Sequence, residues 1–150
     1  MLKHAIRIIA PIGVILLLQS GCATVRPRQQ AGEARIVAKE LIVATRSWDG
    51  KPLPAYPQGQ PEVTIRRISI PAGARLDPHR HPVINAGVLL SGQLTVVSAD
   101  GKTLHLKAGD PVVELVDTQH YGINEGNVAA EIMVFYAGIV GTPIAVGRPH

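Results

Sequence analysis

From residue 36 onward, apolar residues recur in short runs separated by turn-forming residues, the pattern of many short strands. Ile36 to Thr45 is an apolar run broken by Lys39-Glu40 and reads as an outer strand, with a short helix as the alternative. Trp48-Asp49-Gly50 reads as a turn, and Pro52, Pro54, Pro57 and Pro61 exclude a regular element until Glu62. The expected role of that loop is to cover one end of a barrel, against a lid on a ligand mouth. Val63 and Ile65 alternate in one phase and Ile68 and Ile70 in the other, which a β-bulge near Arg66-Arg67 would reconcile.

Pro71-Ala72-Gly73 turns the chain into a segment holding two histidines, and strands follow over Val83 to Leu90 and Gln93 to Ser98. Ala99-Asp100-Gly101 is a hairpin turn whose partner strand is Lys102 to Lys107. There Leu104 and Leu106 share one face, which leaves His105 facing solvent with Thr103 and Lys107. Val112 to Val116, a turn at Asp117-Thr118 and a short strand with His120 come next. In Ala129 to Ala137, Ile132, Val134 and Tyr136 share one face and Met133, Phe135 and Ala137 the other. The tail from Gly138 is expected to pack Ile139, Val140 and Ile144 against an edge. Short strands, frequent turns and no convincing long helix predict an all-β barrel or jelly roll.

Composition sharpens this picture. At 150 residues the chain suits one domain, and aromatics make up only 3%, so the core has to be built from Val, Ile, Leu and Ala. Residues 1–21 read as a signal peptide, with Lys3 and Arg7 before an apolar stretch from Ile8 to Leu18 that is too short to span a bilayer as a helix. Leu18-Gln19-Ser20-Gly21-Cys22-Ala23 resembles the lipobox of bacterial lipoproteins, with Gln19 where an aliphatic residue is usual. That resemblance implies lipidation of Cys22, a tether over residues 22–35 and an outer-membrane anchor on the periplasmic side; a plain secreted protein is the alternative. Without residues 1–21 the formal charge falls from +4 to +2. No basic stripe with interleaved aromatics is then left, which argues against nucleic-acid binding.

The candidate chemistry lies in two stretches. Gly73 to Gly92 reads G-A-R-L-D-P-H-R-H-P-V-I-N-A-G-V-L-L-S-G. In a strand His79 and His81 project to one face, and Asn85 keeps their parity if the strand is unbroken. A divalent metal held by such a pair needs a third ligand from elsewhere. Gly109 to Asn124, G-D-P-V-V-E-L-V-D-T-Q-H-Y-G-I-N, offers His120. His4 falls in the signal segment, His150 is terminal and His105 faces solvent, so three of the six histidines remain.

Together the two stretches resemble the paired motifs of the cupin family, the first being G(x5)HxH(x3–4)E(x6)G. Gly73, His79, His81 and Gly92 match the first, and Gly109, His120 and Asn124 the second. Two positions depart: the acidic ligand of the first motif is Asn85, and the Pro-x-Gly of the second is Leu115-Val116-Asp117. The resemblance implies a cupin double-stranded β-helix over residues 36–150, with His79, His81 and His120 converging on a divalent ion (Fe, Mn, Ni, Cu or Zn) and Asn85 as fourth ligand or hydrogen-bonding neighbour. A metal-free barrel with internally bonded histidines is the alternative. The resemblance also suggests two function classes: a dioxygenase-like enzyme acting on a small organic molecule, or a module that holds a ligand without turnover. Glu114, Asp117 and Glu131 are acid–base candidates by proximity in the chain alone. The expected partners are a small-molecule ligand and, through the anchor only, a membrane; a homodimer stays open.

Overall fold

Glycine and proline break this chain every few residues, and the computed structural model, which describes residues 35–147, places strands between those breaks. The signal segment, Cys22, nearly all of the tether, His4 and His150 lie outside the described residues. Nine strands and no helix occur among the described residues: β1 (Pro61–Ile70), β2 (His79–Arg80), β3 (Ile84–Ser91), β4 (Gln93–Ser98), β5 (Thr103–Lys107), β6 (Pro111–Val113), β7 (His120–Ile123), β8 (Ala130–Ile139) and β9 (Val146–Gly147). They form two antiparallel sheets, of order β1-β8-β3-β6 and β5-β4-β7-β2-β9. Except at the β4–β5 hairpin, each strand passes to the opposite sheet from the one before it. This is the all-β, jelly-roll cupin fold that the motifs imply.

The core lies between the sheets. Ile70, Leu89, Val112, Ile132 and Val134 from one sheet meet Leu94, Val96 and Leu106 from the other, all buried. Tyr136 is the aromatic residue of that buried cluster, and Trp48 packs against it half-buried. The Trp48 segment is a small hairpin, tied by the Arg46–Pro52 bridge and by the Trp48 N–H, which donates to the Val113 carbonyl at 3.0 Å.

Three local expectations need correction. Ile36 to Thr45 forms no strand: Leu41 and Ile42 instead border a surface cavity together with Ala86, Val88, Pro111 and Phe135. No bulge occurs at Arg66-Arg67, because β1 pairs residue for residue with β8 from Pro61–Ile139 to Ile70–Ala130. The change of phase has another cause. Ile68 and Ile70 face the core side, whereas Val63 and Ile65 are 69% and 57% exposed on the outer face beside Phe135. The register shift falls instead in β3, between Leu89 and Ser91 against β8. In the tail Val140 is 64% exposed; Ile144 packs on the core and β9 pairs with β2.

Gly92, between β3 and β4, shows what one motif glycine does. Its φ is +73°, and an added Cβ would sit 2.7 Å from the Ala129 carbonyl oxygen and 2.8 Å from the Ala130 Cα. Gly101 has a similar φ of +80° but open space around it. Gly92→Ala should therefore cost roughly 1–3 kcal/mol more than Gly101→Ala, since both bear the left-handed strain and only Gly92 adds a backbone clash. Urea unfolding of the two variants measures the difference; equal costs would contradict the close approach.

Candidate metal centre

The three histidines meet because two strands of one sheet are neighbours. His79 in β2 stands directly opposite His120 in β7, and His81 follows two residues on, bridged to Val116. The ring centroids lie 4.9 Å (79–81), 4.7 Å (79–120) and 5.0 Å (81–120) apart. One ring nitrogen from each lies within 4.8 Å of the other two. His81 and His120 are buried and His79 is half-buried.

Hydrogen bonds decide which nitrogens point inward. His79 Nδ1 lies 2.8 Å from the Asp77 carbonyl, His81 Nδ1 2.7 Å from that of Ile144, and His120 Nδ1 2.8 Å from that of Thr118. A carbonyl only accepts, so each Nδ1 must carry the proton and donate it. That leaves all three Nε2 lone pairs bare, the arrangement in which imidazoles bind metals. Burial holds His81 down to about 4, with the neighbouring His120 and His79 adding to the effect, and burial likewise lowers His120. Both rings stay neutral, as ligands must be.

Asn85 and Glu114 border the same cavity of about 60 Å³, whose other walls include Ile68, Ile70, Leu76, Leu94 and Tyr136. Asn85 Oδ1 and Glu114 Oε2 are both buried and without a hydrogen-bond partner. Burial raises the Glu114 carboxyl above its usual range, and it raises the Tyr136 hydroxyl as well, with the charge of Glu114 second. Three bare imidazole lone pairs and two unpartnered acceptor oxygens around one small cavity fit a divalent cation. An apolar occupant would leave all five unsatisfied.

The structure treats the sequence-derived candidates differently. His79, His81, His120 and Asn85 line one cavity, although β2 ends at Arg80 and Asn85 belongs to the other sheet. Asp117 pairs with Arg80 and Glu131 with Arg67, each by an ion pair with exposed or half-exposed partners. Neither borders the cavity; Glu114 does. His105 is exposed on β5. Asn124 is buried and structural: its amide donates to the carbonyls of Ile70 at 2.9 Å and Val128 at 2.8 Å, and its oxygen accepts from the Gly126 N–H.

Residues 66–136 match the family model described as "Cupin domain". That segment, just under half of the chain, is similar to a cupin domain. Solved structures agree on the fold: an oxalate oxidase in complex with the substrate analogue glycolate (24% identity, TM-score 0.50, covering 58% of this chain and 46% of that one). A Lactobacillus farciminis oxalate decarboxylase in a formate complex is also similar (19%, 0.50, covering 57% and 26%). So is the polyketide cyclase RemF from Streptomyces resistomycificus (15%, 0.50, covering 59% and 61%). The chain spans about half the length of the oxalate oxidase or less of the decarboxylase, and these identities speak for the fold alone. Among curated proteins, none matches.

The buried histidines make stability depend on pH. Their folded pKa lies below the ordinary value of 6.5, so as pH falls from 6.5 towards 4 the unfolded chain takes up protons that the fold refuses. His81 alone should cost the metal-free protein on the order of 3 kcal/mol over that window. Glu114 works in the opposite direction, since a raised carboxyl pKa stabilises at low pH and the gain is lost as pH rises. In a metal-free Glu114→Gln background, the urea midpoint should therefore fall steadily from pH 7 to pH 5. A flat profile would mean that the histidines are not buried as neutral rings.

Proposed function

We propose that this cupin domain is a metal-dependent enzyme of oxygenase type, acting on a small organic molecule at a divalent ion held by His79, His81 and His120. The observation that carries the reading is the set of three Nδ1–H bonds to backbone carbonyls, which leaves three Nε2 lone pairs facing one cavity. The ion, which by ligand type is Fe, Mn, Ni, Cu or Zn, would supply Lewis acidity and free coordination positions. The imidazoles are neutral and leave its charge undiminished. A cavity of about 60 Å³ has room for a few water-sized groups, which favours a substrate of a few heavy atoms reaching the site by one end. The apolar walls from Ile68, Ile70, Leu76 and Leu94 limit competing water.

Purified protein should bind about one divalent ion per chain, and His120→Ala should weaken that binding at least 100-fold. With Fe(II), oxygen consumption screened across small organic acids and thiols should show a substrate whose turnover is lost in His120→Ala. Metal and ligand binding without turnover under any condition would favour the ligand-holding alternative. No metal bound by the wild type would overturn both. We further propose export and anchoring through Cys22: Cys22→Ser should move the protein from the membrane fraction to the soluble periplasm, and unchanged partitioning would count against the anchor.

A further inference from the structure

We propose that Glu114 is the carboxylate of this metal centre, supplying from a neighbouring strand the anionic oxygen that Asn85 does not. This rests on the three-histidine reading above and adds a ligand to it. The ladder between β3 and β6 pairs Gly87 with Val112 and Ala86 with Val113. One step further, the Glu114 N–H donates to the Asn85 carbonyl at 3.1 Å. Residues opposite each other in an antiparallel pair send their side chains to the same face, with Cβ atoms about 5 Å apart. Glu114 therefore reaches the side of the cavity that Asn85 faces.

The Glu114 carboxylate borders the cavity with the three histidines. Its Oε2 is buried without a hydrogen-bond partner and lies 3.7 Å from His120 Nε2. That separation is too long for a hydrogen bond, and His120 Nε2 has no proton to give because Nδ1 carries it. Once the carboxyl is ionised, Glu114 Oε2 and His120 Nε2 present two lone pairs to one another across 3.7 Å, a pair that a shared cation satisfies. Two ligand atoms bound to one ion at about 2.0–2.2 Å sit roughly 3–3.5 Å apart when adjacent, so a small side-chain rotation brings Glu114 into place. A buried, unpaired carboxylate is costly, whereas the isosteric glutamine would be cheaper and equally well packed; a bound cation offsets that cost. Three imidazoles and Glu114 would hold the ion at a net charge near +1 instead of +2.

Calorimetric titration with Zn(II) and absorption spectra with Co(II) test the assignment without reference to turnover. Wild type should bind one ion per chain. Glu114→Gln should bind at least tenfold more weakly and change the Co(II) d–d spectrum, while Asn85→Glu combined with Glu114→Gln should recover most of the affinity by returning the carboxylate to the motif position. The metal-free Glu114→Gln protein should unfold at the same urea concentration as wild type or a higher one, so that lost affinity is not lost folding. Wild-type binding with unchanged affinity and an unchanged Co(II) spectrum in Glu114→Gln would overturn this assignment alone. Failure of the wild type to bind either ion would overturn the three-histidine reading and this assignment with it.

Discussion

Three hydrogen bonds hold the whole site in its working form. Each ties an imidazole Nδ1–H to a backbone carbonyl, and without them a ring could flip or present the wrong tautomer. Two of the three are local, since His79 and His120 each reach the carbonyl two residues before them, at Asp77 and Thr118. The third is not. His81 reaches Ile144, 63 residues away, and that carbonyl is in place because β9 pairs with β2 as an added strand. The tail is therefore part of the site's architecture: the antiparallel register at His79–Gly147 and Arg80–Val146 sets the angle of a ring two residues on.

Much of this could be read from the sequence, for a physical reason in each case. The H-x-H pair and its single intervening residue dictate a shared face, and the His79–His120 pairing needed only the two strands to be neighbours. Asn85 kept the parity of His79 and His81 although Pro82 and Val83 bend the chain from one sheet to the other. What stayed hidden depends on register between distant strands. Nothing in the residues around Glu114 states that β6 pairs with β3 so as to bring it level with Asn85, so its place in the chain set it apart from neither Asp117 nor Glu131. Ile144 was equally hidden, because a backbone carbonyl leaves no mark on residue identity. The bulge at Arg66-Arg67 failed because apolar residues on an outer sheet face follow the same alternation as core residues, and the Ile36–Thr45 strand because an apolar run does not by itself find a partner strand, Ile36, Val37 and Val43 being left exposed.

The electrostatics of the cavity follow from this geometry. A site of neutral imidazoles in an apolar barrel presents lone pairs and little charge of its own, so the charge at its centre is set by whatever it holds and by any carboxylate within reach. Asn85 contributes a dipole and Glu114 a titratable group, both buried beside the same rings. Burial pushes the imidazoles of His81 and His120 towards their neutral form and the carboxyl towards its protonated form, so these side chains add little charge of their own. A cation reverses the balance for the carboxylate while leaving the imidazoles as they are.

The central claim is that the backbone fixes three Nδ1–H tautomers and aims three bare Nε2 atoms at one point. Nitrogen-15 NMR of histidine-labelled, metal-free protein at neutral pH reads those tautomers ring by ring. The account predicts that His79, His81 and His120 each show a protonated Nδ1 and an unprotonated Nε2, with the Nε2 signals shifting together when one equivalent of Zn(II) is added. A protonated Nε2 on any of the three, or Zn(II) leaving their signals in place, would contradict it.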